Sequence, residues 1–185
     1  MKQSSRRNST SFILEDDGTF PNNARYPVII YRQVLELDEK RKKAARQARK
    51  TFKKNDWKNS WRDGIYDYHH YHSITHEVLA ISNGKVTMQL GGEEGKTVRL
   101  RKGDAVVIPA GVAHKCLKAS KEFECVGAYP GGADYDMNYG YPKERPYSDE
   151  KIAQVGIPQF DPVFGEKGPL FRFWKVIEEE APVSA

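Results

Sequence analysis

The chain has 185 residues, 38% hydrophobic and 30% charged, with a formal net charge of +5. This length suits one domain with a real core, and the composition is globular rather than disordered. No run of about eighteen apolar residues is present, which excludes a membrane-spanning helix. The N-terminal stretch MKQSSRRNSTSFILEDD lacks the apolar segment of a secretory leader, so the expected location is cytoplasmic.

Residues 1–11 read as a disordered tail. The β-branched and aromatic run Val28-IIYRQVLEL ending at Leu37 predicts a first strand. Asp38 is placed to cap a helix over 39–54, in which Leu37, Arg41, Ala44, Ala45, Ala48 and Phe52 form a thin apolar stripe. Nine of the 30 Lys and Arg residues lie in 40–54, which holds no acid, leaving 21 to oppose 25 acids elsewhere. The positive charge is therefore local, and with no interleaved aromatics the helix reads as a solvated surface element packed on the domain rather than a nucleic-acid site.

From Trp61 the pattern changes to short strands punctuated by glycine and proline, so the barrel proper is expected over 61–178. Extended segments are predicted at 65–73, 77–82, 85–90, 97–100, 105–108, 114–117 and 123–129, with a tight hairpin at Asn83-Gly84. Cys116 and Cys125, the two cysteines, fall in such strands and read as buried free thiols. The Gly-, Tyr- and Pro-rich run after Pro130 carries too many groups worth burying to be a linker, and its Tyr129, Tyr135, Asp136, Tyr139 and Tyr141 are candidates for a lid. Residues 168–177 alternate as a last strand would, and 179–185 read as a frayed tail. The fold class is all-β, an antiparallel barrel or jelly roll with an added basic helix.

Four residues carry the chemistry. His70 and His72 share one face of an extended segment, close enough for two imidazoles to meet one ion. Glu77 follows a short turn, and His114 follows Pro109-Ala110-Gly111, where glycine permits a sharp change of direction. Three nitrogens and a carboxylate suit one divalent transition metal: Mn, Fe, Zn, Ni or Co. His76 can replace Glu77 if the turn slips by one residue, or can move protons beside the ion. Tyr66 and Tyr68 share the parity of His70 and are expected to line the same interior, making His76, Tyr66 and Tyr68 the candidate catalytic groups. His69, of opposite parity, is expected to face outward, and Gln89 and Trp174 are weaker candidates for the pocket wall.

The order and spacing of Gly64, His70, His72, Glu77 and Gly84, followed by Gly103, Pro109, Gly111 and His114, resemble the two signature motifs of the cupin superfamily, with Lys118 where asparagine is usual. WRDGIYDYHHYHSITHEVL, QLGGEEG, IPAGVAHKCL and DPVFG are similar to the YjlB-like single-domain cupins. The resemblance implies a jelly-roll barrel, His70, His72, Glu77 and His114 as the metal ligands, and pairing as a homodimer. The resulting expectation is a metal-dependent enzyme, of oxygenase, isomerase or decarboxylase type, on a small polar organic substrate. The alternative is a non-catalytic protein that binds or senses a small molecule or metal.

Overall fold

The structure is a computed structural model and describes residues 8–179. Nine strands and three helices follow in chain order: β1 (Ser9–Leu14), β2 (Asn23–Tyr31), α1 (Arg41–Lys54), β3 (Trp57–Asp63), β4 (Glu77–Asn83), β5 (Lys85–Leu90), β6 (Lys96–Arg101), β7 (Ala105–Ile108), β8 (His114–Ala119), β9 (Glu124–Pro130), α2 (Tyr147–Gln154) and α3 (Pro169–Glu179). They form two antiparallel sheets, one ordered β1-β2-β7-β4-β9-β3 and the other β6-β5-β8. The protein is thus mostly β, a jelly roll. No helix among the described residues is long and apolar enough to cross a membrane.

The two sheets differ in how their strands are buried. Val86, Met88 and Leu90 of β5 point inward while Lys85 is exposed and Thr87 and Gln89 are half-buried, so one face of the small sheet meets solvent. All four residues of β7 are buried, as are the first six of β4 and of β9. Alternate residues explain this. Val28, Ile30, Leu79, Ile81, Val106, Ile108 and Cys125 fill the barrel interior with Val86, Met88, Leu90 and Leu100. Their neighbours Ile29, Tyr31, Val78, Ala80, Val107 and Val126 pack outward under Ala45, Ala48 and Phe52 of α1 and Leu170 and Trp174 of α3. The basic helix therefore covers a sheet face that water would otherwise reach, and its charges line the opposite side.

Several expectations are corrected. Residues 9–11 belong to β1, which pairs with β2, so the tail expected over 1–11 starts to be structured within its own bounds; residues 1–7 and 180–185 lie outside the described residues. Ahead of the barrel start expected at Trp61, residues 9–31 already supply β1 and β2 to the large sheet, and β3 begins at Trp57. Asp38 does not cap α1; its Oδ1 accepts from the Lys40 N–H at 2.7 Å, one residue ahead of the helix. Asn83-Gly84 is not a hairpin, because β4 and β5 lie in different sheets and the turn carries the chain across the barrel. Residues 65–73 are held only by isolated bridges, not as a strand. Residues 169–179 form a helix: Pro169 takes its first position, and Leu170 and Trp174, one turn apart, are fully buried on one side.

Two buried carboxylates tie the outer layers down. Asp161 accepts four hydrogen bonds, from Tyr31 Oη (2.7 Å), Val163 N (2.9 Å), Phe164 N (2.9 Å) and Leu170 N (3.1 Å), and so caps α3 from the loop that precedes it. Gly168 passes so close that a Cβ there would stand 2.1 Å from the Asp161 carboxyl carbon. Glu124 joins α1 to the sheet through Arg41 Nε (2.7 Å), Arg62 Nη2 (2.8 Å) and Ser82 Oγ (2.9 Å). Burial opposes its ionisation, but these donors outweigh it and hold the carboxyl below its ordinary value of 4.5.

Asp161→Ala leaves a buried phenol and three N–H groups without their acceptor. The expected loss is about 3–5 kcal/mol, read as a fall in Tm of roughly 6–15 °C. Glu124 contributes stability that is fully present above its unfolded-state value and is lost as pH falls through the lower folded one. Glu124→Gln is accordingly expected to melt below wild type at neutral pH, with the gap closing in urea titrations between about pH 5 and pH 3.

Candidate metal centre

His70 and His114 face each other across a short antiparallel bridge, His70 N–H donating to His114 O (3.2 Å) and His114 N–H to His70 O (3.0 Å). The Gly111 N–H continues the pairing to His72 O at 2.8 Å. Gly111 has φ +89°, and a Cβ there would meet Asn22 O at 2.3 Å, so both conformation and space require glycine. Glu77 opens β4, which pairs with Ile108 of β7 immediately before this turn. Backbone pairing alone brings three sequence segments to one end of the barrel.

The three imidazoles are buried, and their ligand atoms all lie within 4.8 Å of one another. Each Nδ1 sits beside a backbone carbonyl: Tyr68 O for His70 (3.3 Å), Asp136 O for His72 (2.6 Å) and Val112 O for His114 (3.0 Å). A carbonyl only accepts, so each Nδ1 carries the proton and each Nε2 of a neutral ring presents its lone pair. Glu77 Oε2 lies 3.5 Å from His72 Nε2 and 3.3 Å from His114 Nε2. Its Oε1 accepts from Tyr129 Oη (2.9 Å), which in turn accepts from Trp61 Nε1 (2.9 Å).

The electrostatics follow from this layout. Burial, with help from His114 and His72, pushes His70 down to about 3, so it stays neutral. Burial also opposes the Glu77 carboxylate, but His72 and His114 more than offset it and hold its acidity far below the usual range; burial opposes a charge on His72 as well, yet Glu77 holds that ring above its ordinary value. Burial and Glu77 both push the Tyr129 phenol up, keeping it a donor. The centre is a buried carboxylate beside imidazoles, with no Lys or Arg paired to Glu77 among the described residues. Such an arrangement favours a cation.

A cavity of about 380 Å³ opens over these groups, walled by Trp61, Leu79, Tyr129, Tyr135 and Met137, with Arg62, Asp63 and Tyr66 towards its rim. Tyr135 stacks on Tyr129 with ring centroids 4.8 Å apart and meets His72 edge-on at 5.2 Å. Asp136 positions this loop: its carboxylate takes the Ser73 N–H at 2.7 Å and the Ser73 hydroxyl, while its carbonyl orients His72. The size suits a small organic molecule.

Of the candidate catalytic groups, the structure leaves only Tyr66 on the cavity. Tyr68, exposed like Tyr66 and stacked on it at 4.9 Å, does not line the cavity, because residues 65–69 are not a strand and the expected parity fails. His76 lies on the far side of the sheet. Its Nδ1 accepts from Ala110 N (2.9 Å), its Nε2 donates to Gly156 O (3.0 Å), and its ring packs between Tyr26 and Trp174. Burial lowers it to about 4. With both nitrogens occupied it is a structural histidine, neither ligand nor shuttle. Trp174 belongs to the same outer layer, and Gln89 bonds Glu93 O outside the cavity. His69 is turned away as expected, but it is buried against Phe20 rather than solvated. Trp61 went unnoticed in the sequence, where its only signal is its place in β3 beside the glycine that opens the first motif.

Two facing antiparallel sheets with a histidine cluster at one end define the cupin class. The cupin domain family matches residues 63–126. Over 168 residues the chain is 40% identical to the uncharacterized protein YjlB of Bacillus subtilis (strain 168), covering 91% of this chain and 98% of that protein. The chain therefore belongs to the cupin family, in the group of YjlB. Among solved structures it is similar to QdtA, a sugar 3,4-ketoisomerase from Thermoanaerobacterium thermosaccharolyticum, with 20% identity, 53% of this chain and 75% of that one covered, and a TM-score of 0.40. It is also similar to the acireductone dioxygenase of Bacillus anthracis, with 15% identity and a TM-score of 0.37, covering 51% of this chain and 64% of that one.

The structural place of His76 makes a clear expectation. His76→Ala should lose about 2–4 kcal/mol of stability through the cavity and two orphaned partners, while elemental analysis finds metal at the wild-type level. Loss of metal at an unchanged Tm would return His76 to the centre.

Proposed function

We propose that His70, His72, Glu77 and His114 hold one divalent transition metal and that the protein is an enzyme acting on a small polar organic molecule admitted to the cavity above them. The observation that carries the reading is the common tautomer. Three separate backbone carbonyls hold the Nδ1 protons, so all three Nε2 lone pairs are directed to one place beside an ionised carboxylate. A structural cluster has no need of three matched orientations, whereas metal-binding imidazoles are oriented this way. The N₃O donor set suits Mn, Fe, Zn, Ni or Co.

Bound there, such an ion supplies a Lewis acid for a coordinated oxygen or, if redox-active, a centre for electron transfer. The chain's own groups do the rest. Tyr129 fixes the orientation of Glu77 through Oε1 and leaves Oε2 facing the histidines. Leu79, Met137, Trp61 and the Tyr129–Tyr135 stack exclude water from the inner wall. Asp63 on the cavity wall offers an anion to a polar substrate, whereas Arg62 beside it is committed to Glu124. Tyr66 is the remaining phenol at the mouth able to pass a proton to a bound molecule.

Purified without a histidine tag, wild type is expected to contain near one equivalent of metal. His72→Ala should retain less than about a tenth of that and lose the rise in Tm that added metal produces. Turnover is sought in a panel of small acids, keto acids, sugars and phenols; stoichiometric metal with no turnover of any class would overturn the enzymatic part. Tyr129→Phe keeps the ring but frees Glu77 Oε1, and competition with a chelator should show metal affinity falling about 10-fold or more. Unaltered affinity would remove Tyr129 from any role in positioning the carboxylate.

A further inference from the structure

The small sheet presents a second feature, outside the cavity. Register places Lys85 of β5 directly opposite Arg101 of β6, and Thr87 opposite both Arg99 of β6 and Lys118 of β8. Opposed residues in an antiparallel pair lie on one face, so Lys85, Arg99, Arg101 and Lys118 share the outer side of the sheet around Thr87. Arg32, just past β2, reaches across the edge of β6 to the Arg99 carbonyl and adds a fifth cation. Together with Gln33 and Ser120 these groups line a groove of about 760 Å³.

The acid in this groove is already spent. Asp104 is buried and accepts from Arg32 Nη1 (3.1 Å), Gln33 N (2.9 Å), Gln33 Nε2 (2.8 Å) and Arg101 N (3.0 Å), which occupies its lone pairs. Glu122 in the β8–β9 turn is near enough to feel Lys85 but makes no ion pair with it. Among the described residues, Lys85, Arg99, Arg101 and Lys118 have no carboxylate partner. Like charges placed directly across a strand pair destabilise it, so the Lys85–Arg101 pair works against the fold at rest. An anion seated between them would reverse that sign.

We propose that this groove binds a small phosphorylated ligand, its phosphate groups held by Arg99, Arg101, Lys85 and Lys118 and by the Thr87 hydroxyl. Arginine forks and lysine ammonium groups together suit the several oxygens of a phosphate or diphosphate. The volume is that of a ligand site. The lining contains no aromatic side chain, which sets the groove apart from a single-stranded nucleic-acid platform, where bases stack on aromatic rings. The proposal is independent of the metal centre.

Calorimetric titration of the full chain with inorganic pyrophosphate tests it. Saturable binding is expected, weakening as NaCl rises from about 50 to 200 mM. Arg99→Gln with Arg101→Gln should reduce affinity about tenfold or more, and His72→Ala should leave it unchanged. Absence of saturable binding, equal binding by the double variant, or loss of binding in His72→Ala would each overturn the assignment, the last by moving the anion to the cavity. A single-stranded oligonucleotide that displaces pyrophosphate at far lower concentration would overturn it in favour of nucleic acid. A second readout needs no ligand: Arg101→Glu should raise the Tm of the ligand-free protein by removing the opposed pair, and a lowered Tm would refute the repulsion on which the proposal stands.

Discussion

Two backbone hydrogen bonds between His70 and His114 are the constraint on which the centre depends. They join a segment with no regular secondary structure to the first residue of β8, and they set both side chains on the inner side at ring centroids 4.2 Å apart. The Gly111 N–H extends the same pairing to His72. Because β4 is paired to β7 just before the Pro109–Gly111 turn, Glu77 arrives at the same end of the barrel. The donor set is thus a consequence of strand register, and a slip of one residue would turn each side chain to the opposite face.

The large sheet provides the rigidity that this register needs. It is covered on both faces, by the small sheet within and by α1 and α3 outside, so its central strands are buried throughout. Asp161 and Glu124 fasten those outer helices with carboxylates that are fully hydrogen-bonded, which is the condition under which a buried charge is tolerated. His76 serves the same outer layer. It sits next to Glu77 in sequence yet points to the opposite side, as adjacent residues at a strand start do.

The small sheet has a different character. One face packs into the barrel interior through Val86, Met88, Leu90 and Leu100, and the other carries Lys85, Arg99, Arg101 and Lys118 beside a saturated Asp104. Strand β8 bears His114 at its start and Lys118 near its end, so one strand contributes to both the proposed metal centre and the proposed anion groove. The two sites draw on opposite physics. The cavity gathers a buried carboxylate and imidazole nitrogens that suit a cation, whereas the groove gathers cations that suit an anion.

Much of this was legible in the amino-acid order. The ligand quartet, the cupin resemblance, and the strands from β4 to β9 could be read because spacing, glycine and proline positions and two-residue alternation are local signals. What was misread depended on partners distant in sequence. Leu170, Arg172 and Trp174 would fall on one side of a strand and Phe171, Phe173 and Lys175 on the other, but Asp161, which caps a helix here, is itself held by Tyr31 from far along the chain. Asn83-Gly84 has the chemistry of a hairpin, yet which sheet receives β5 is settled by β6 and β8. Tyr68 and His76 had plausible parity on paper, while exposure of one and the twin hydrogen bonds of the other arise only from packing. By itself the sequence determined which atoms could bind a cation and roughly where the chain turns. Tertiary structure alone decided their protonation, the Tyr129–Trp61 support behind Glu77, and the gathering of five cations on one face, because each of these depends on desolvation and on neighbours brought from far along the chain.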